Sequence, residues 1–153
     1  MAGPRRRVLC NLHVYLLNGR FYVPTMVRLE NGAWAEALPV VVVPEADRQE
    51  LAAALEAARQ HCGLAKGDLT FWGRDGEGVY SHAEALWSVY WYSDGTLAIV
   101  PERHVPTRRD PVSGDVLDGG WADVREWSRP LPSGTAMSVV AETLMMRDKG
   151  AQL

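Results

Sequence analysis

A chain of 153 residues, 47% apolar and with a formal charge of −3, reads as one soluble globular domain large enough for a proper core. The mild acidity argues against nonspecific nucleic-acid binding, which needs a basic face, and no apolar run approaches the length of a membrane span. Cys10 and Cys62 make neither a disulfide framework nor a zinc motif, so they are expected as free, buried thiols of a reducing cytoplasm.

From the N-terminus, Arg5-Arg6-Arg7 reads as a solvated tail over residues 1–7. Asn11 and His13 interrupt what would be the apolar region of a signal peptide, so none is expected. The first strand runs from Val8 to Leu17, with Val8, Cys10, Leu12, Val14 and Leu16 on a core face and Asn11, His13 and Tyr15 on a wetter one. Asn18-Gly19 turns the chain. A second strand covers Phe21 to Glu30, with Phe21, Val23, Thr25, Val27 and Leu29 on one face. Pro24 has no amide hydrogen and predicts an edge or a bulge. Asn31-Gly32 turns the chain again into a strand from about Trp34 to Val43, ended by Pro44. Asn-Gly and Asp-Gly tolerate the positive φ angles of a type I′ turn, which makes these dipeptides, with Asp94-Gly95, strong hairpin signals.

A helix follows over about 47–62. Asp47 and Glu50 have capping-box spacing, Leu51, Ala54, Leu55, Ala58 and Cys62 recur at helical period, and Gly63 is placed to stop it. Leu69 to Trp72 reads as a short strand, and Gly73, Gly76 and Gly78 as a flexible loop. The loop lacks the Gly-Lys-Ser/Thr ending of a phosphate loop. Ser81 and Glu84 are spaced to cap one helical turn. Leu86 to Tyr92 and Thr96 to Val100 form a second hairpin about Asp94-Gly95. Five of the nine prolines fall between Pro101 and Pro132, which reads as connecting structure with a possible last strand from Trp121 to Trp127. A final helix over about 136–147 is capped by Ser133 or Thr135, with Met137, Val140, Ala141, Leu144 and Met145 as its buried stripe. The expected fold is therefore one α+β domain over residues 1–153, an antiparallel sheet of hairpins and a meander packed against the two helices.

The four histidines, His13, His61, His82 and His104, have no metal-ligand spacing with one another or with a cysteine, and neither a metal nor another cofactor is expected. Asp110, Asp115, Asp118 and Asp123 crowd one segment without the ligand pattern of an EF-hand. They read as turn residues of a long loop that is a plausible recognition surface. Six tryptophans are many for this length. Trp87 and Trp91 lie on one face of their strand and Tyr90 and Tyr92 on the other, so one core cannot absorb them all: a helix or a partner must cover the second face.

The run Val14 to Thr25, with Asn18-Gly19-Arg20-Phe21-Tyr22-Val23-Pro24 at its centre, resembles the opening of small bacterial immunity proteins of contact-dependent growth inhibition systems. The resemblance continues, in order, through Trp87-Ser88, Asp94-Gly95, Ile99-Val100-Pro101, Gly119-Gly120-Trp121 and Leu131-Pro132-Ser133-Gly134-Thr135. It implies a cytoplasmic protein that binds a cognate toxin domain, commonly a nuclease, one-to-one and without turnover. The partner is then a protein, not nucleic acid or membrane. Mild acidity fits, since opposite charge speeds association with a basic surface. The physical choice of contact residues is Asp110, Asp115, Asp118, Trp121 and Asp123, with Asp75 and Glu77 of the glycine segment second. The alternatives are another protein-binding accessory module, or a small hydrolase or transferase with a site near His13, Tyr15 and His104. The enzyme alternative predicts that His13 and His104 converge on a pocket.

Overall fold

Positive φ at both Asn18 (51°) and Gly19 (74°) makes the first turn type I′, as expected, and closes strands β1 (Val8–Leu17) and β2 (Arg20–Arg28). The other two turns differ. At Asn31-Gly32 and Asp94-Gly95 only the glycine has positive φ. The Asn31 and Asp94 carboxamide and carboxylate oxygens accept from the amides of Ala33 and Thr96, two residues on. That side-chain bond favours a three-residue loop with glycine alone in the left-handed region. The computed structural model describes residues 6–63 and 70–146, and of residues 74, 75, 118 and 119 the backbone alone.

The remaining elements are β3 (Trp34–Pro44), α1 (Arg48–His61), α2 (Gly73–His82), β4 (Ala85–Tyr92), β5 (Leu97–Arg109), β6 (Val116–Asp123), a 3-10 turn (Arg125–Trp127), β7 (Arg129–Leu131) and α3 (Met137–Met145). The strands form one antiparallel sheet in the order β3-β2-β1-β4-β5-β6. β7 takes the outer edge of β5 at Leu97–Ile99, while β6 takes it from Glu102 onward. The class is α+β, with the sheet packed against helices.

The main core joins the even face of β1 (Leu12, Val14, Leu16) to Phe21, Val23, Trp87, Val89, Trp91 and Ile99. It is covered by Leu51, Ala54 and Leu55 of α1 and Val140, Ala141 and Leu144 of α3. The Asp47 carboxylate accepts from the Glu50 amide at 3.0 Å and caps α1 as its sequence predicts. Gly63 (φ +81°) leaves the helix, and its amide donates to Met26 O.

Several expectations are corrected. Cys10 and Cys62 are bonded to each other, with Cα atoms 5.9 Å apart. Packing of α1 on β1 brings together two residues that no local motif links. On β2, Met26 rather than Thr25 enters the main core, beside the irregularity where the pairing with β3 jumps from Pro24↔Val40 to Thr25↔Ala37. The bulge that Pro24 predicted is thus present. The glycine segment is not a loop but helix α2, on the other face of the sheet. Ser81 lies within it, and the Glu84 amide donates to Leu16 O. Of the expected strand at 69–72, Phe71 makes an isolated bridge with Ala37, and Leu69 lies outside the described residues. The proline-bearing segment after Pro101 is a long hairpin, β5–β6, and β6 ends at Asp123. α3 has no side-chain cap. The Thr135 hydroxyl donates instead to Pro132 O at 2.6 Å. Arg6 and Arg7, expected in a solvated tail, are engaged: Arg7 N donates to Ser93 Oγ at 2.8 Å, and the Arg6 guanidinium lies 3.9 Å from the Tyr92 ring centre, while Arg5 lies outside the described residues.

Candidate functional site

On the face opposite α1 and α3, β1 presents Asn11, His13 and Tyr15 beside Tyr90, Ser88 and Leu86 of β4. Glu36 of β3 reaches the same face. Its Oε2 accepts from Tyr15 Oη at 2.5 Å and lies 2.8 Å from His13 Nδ1. Next to it Ser88 Oγ donates to Glu102 Oε2 at 2.9 Å, and Tyr90 Oη donates to Asp123 Oδ2 at 2.7 Å. Burial first, and Glu36 second, hold the Tyr15 phenol far above its ordinary range. Burial and the Asp123 hydrogen bond do the same for Tyr90. Burial also raises the Glu102 carboxyl, against the pull of His13 and the Ser88 hydroxyl, while the charges of Asp123 and Glu36 add to the rise. These three pairs use their polar groups on one another. They make a connected polar floor, not a nucleophile beside a free base.

The far end of this face is roofed by α2. Val79 packs with Tyr15 and Leu86, and Trp72, Tyr22 and Trp121 close around them. The helix survives three glycines because one is required: a Cβ at Gly76 would stand 2.7 Å from the Trp72 ring. Trp121 Nε1 donates to Tyr80 O at 2.8 Å, and the Tyr80 hydroxyl occupies the space a Cβ at Gly120 (φ +81°) would need.

β4 accompanies β5 only as far as Leu86↔Glu102. From Arg103 to Arg109 the partner of β5 is β6 alone, so the hairpin leaves the sheet as a two-stranded arm. At its tip Asp110 Oδ1 accepts from the amides of Val112 (2.8 Å) and Ser113 (3.1 Å), which holds its carboxyl below the ordinary range. The arm carries exposed Val112 (95%), Val116 (58%) and Leu117 (54%). Val116 and Leu117 are consecutive on β6 and so lie on opposite faces of the arm, with Val112 in the turn beyond them.

The candidate residues divide accordingly. Asp110 and Asp115 lie at the tip, and Asp118 pairs in register with Arg108 along the arm. Trp121 and Asp123 lie at its root and are engaged with Tyr80 and Tyr90. Asp75 and the exposed Glu77 are on α2, which Trp121 contacts, so the two groups form one neighbourhood. His13 and His104 do not converge. They are two strands and four residues apart, roughly 16 Å from strand spacing, and His104 instead meets the Trp121 ring edge-on at 5.1 Å. Sequence reasoning missed Glu36, Ser88 and Glu102. The odd positions of β1 signalled a polar face, but Glu36 reaches it only through the tertiary path of β3.

Two cavities adjoin these elements. Where β4 begins, a notch of about 390 Å³ is lined by Trp87, Trp121, Trp127, Glu84 and Glu102. A cavity of about 550 Å³ lies beside the disulfide, between Trp91, Arg59 and Met137. No group of three His, Cys, Asp or Glu side chains among the described residues is placed to hold a metal ion, and no helix there is long and apolar enough to cross a membrane. No family model, curated protein or solved structure matches the chain.

Proposed function

We propose that the chain is an immunity-type binding protein, which associates one-to-one with a cognate bacterial toxin domain of the nuclease kind and neutralises it without turnover. The observation that carries this reading is the β5–β6 arm, a two-stranded projection with exposed Val112, Val116 and Leu117 at and beside its tip. A projecting hairpin with uncovered aliphatic side chains offers a partner protein apolar surface to bury. The charge of −3 favours association with a basic partner surface. The place of action under this reading is the cytoplasm of the producing cell. Reductants there oppose the Cys10–Cys62 bond, so neutralisation has to survive its loss.

The test is co-expression with the toxin domain encoded by the neighbouring reading frame. Protected cells and a one-to-one complex on gel filtration are expected. Unprotected cells without a complex would end the immunity reading, and a complex without protection would leave a protein-binding accessory module. Within the complex, reversing Asp115 and Asp118 to lysine is expected to weaken affinity at least tenfold. Unchanged affinity removes these acids from the interface.

A further inference from the structure

The notch at the start of β4 combines indole and carboxylate side chains. Trp121 and Trp127, both half-buried, line it with Glu84 and Glu102, and the buried Trp87 of the main core borders it. Indole faces carry negative quadrupole density and attract cations, and a carboxylate beside them adds to that attraction. Glu102 is the better receptor: Ser88 Oγ fixes one of its oxygens, and burial disfavours its negative charge by more than His13 and the Ser88 hydroxyl relieve it. The pairs His13–Glu36, Arg48–Glu142 and Arg59–Glu56 involve neither Glu84 nor Glu102. Arg103 and His104 also border the notch, both exposed.

We propose that this notch is the receptor for a guanidinium group, an arginine side chain of the partner protein, stacked on the tryptophan walls and paired with Glu102. A planar fork matches both a flat indole face and a carboxylate, which an ammonium does not. The notch opens at the root of the arm, next to Trp121, so a partner that seats an arginine in it meets the same arm whose tip carries Val112, Val116 and Leu117. The identity of the arginine as a partner residue rests on the binding-protein reading above. The guanidinium site itself does not.

The experiment is an NMR titration of the full chain with N-acetyl-arginine amide, read at the indole N–H signals of Trp121 and Trp127. N-acetyl-citrulline amide serves as the uncharged isostere. Saturable shifts with the arginine compound are expected. They should be at least tenfold weaker with citrulline and in Glu102→Gln, whose amide oxygen still accepts from Ser88. Equal shifts for both compounds, or shifts unchanged by Glu102→Gln, would overturn the site whatever the partner proves to be. In the toxin complex Glu102→Gln should lower affinity at least tenfold. Unaltered affinity there, with the arginine titration intact, overturns the partner arginine. Absence of any toxin complex, with that titration intact, counts against the binding-protein reading and leaves the guanidinium site standing.

Discussion

The Tyr15 hydroxyl donates to Glu36 Oε2 at 2.5 Å across 21 residues of sequence, and the phenol ring is fully buried beneath α2. This bond anchors the second polar layer, because His13 meets the same oxygen. Replacing Tyr15 with Phe keeps the ring and removes one donor from a carboxylate. We expect a loss of about 1.5–3 kcal/mol in urea unfolding, the range for hydrogen bonds to charged groups. A loss below about 0.5 kcal/mol would mean that the Glu36 carboxylate is equally well served without Tyr15.

Glu102 imposes a pH dependence whose sign follows from its raised carboxyl. In the window between its ordinary value of 4.5 and its higher folded value, the native state binds the proton more tightly than the unfolded state. Stability from this group is complete below that window and declines as pH rises through it. Glu102→Gln removes the decline. The variant should therefore gain on the wild type as pH rises from 4 through 7 in a urea-unfolding series, and a constant difference would contradict the assignment.

The Cys10–Cys62 bond closes a 52-residue separation between β1 and the end of α1. Removing it frees a long loop in the unfolded chain, which should cost about 2–4 kcal/mol. Urea unfolding with and without a thiol reductant measures this. A Cys10→Ala/Cys62→Ala variant should match the reduced wild type and ignore the reductant.

Helix α2 offers two glycine substitutions with opposite signs. A methyl added at Gly78 would have nothing within 4 Å, and the residue has no positive φ, so Gly78→Ala should stabilise by about 0.5–1 kcal/mol through helix propensity. At Gly76 the added methyl meets the Trp72 ring, so Gly76→Ala should destabilise by about 1–3 kcal/mol through overpacking. Thermal unfolding followed by circular dichroism distinguishes the two. A stabilised Gly76→Ala would show that the ring yields freely.

On the arm, Val112 is almost wholly exposed. Val112→Asp should leave stability within about 0.5 kcal/mol of wild type while weakening the toxin complex. A variant that binds as well as wild type would remove the tip from the interface.

The parts of the fold legible in the residues were those governed by neighbours in sequence. Asn18-Gly19 specified its turn, alternation from Val8 to Leu17 gave β1 to the residue, and Asp47 with Glu50 marked the start of α1. What misled was composition read without context. Three glycines imply a loop until Trp72 supplies the surface that makes Gly76 necessary, and prolines with aspartates imply irregular structure until β6 pairs with β5. Of the candidate site residues, the acids at the tip were visible as turn formers, whereas Glu102 gave no local signal at all.

Turn chemistry and side-chain periodicity act within a few residues, and they suffice for hairpins, an amphipathic helix and an antiparallel sheet. Burial, register jumps and the meeting of distant side chains depend on how layers stack. The bond between Cys10 and Cys62, the approach of Glu36 to Tyr15, and the tryptophan-walled notch around Glu102 therefore belong to the packed molecule, because each joins groups whose distance is set only when the sheet has closed against its helices.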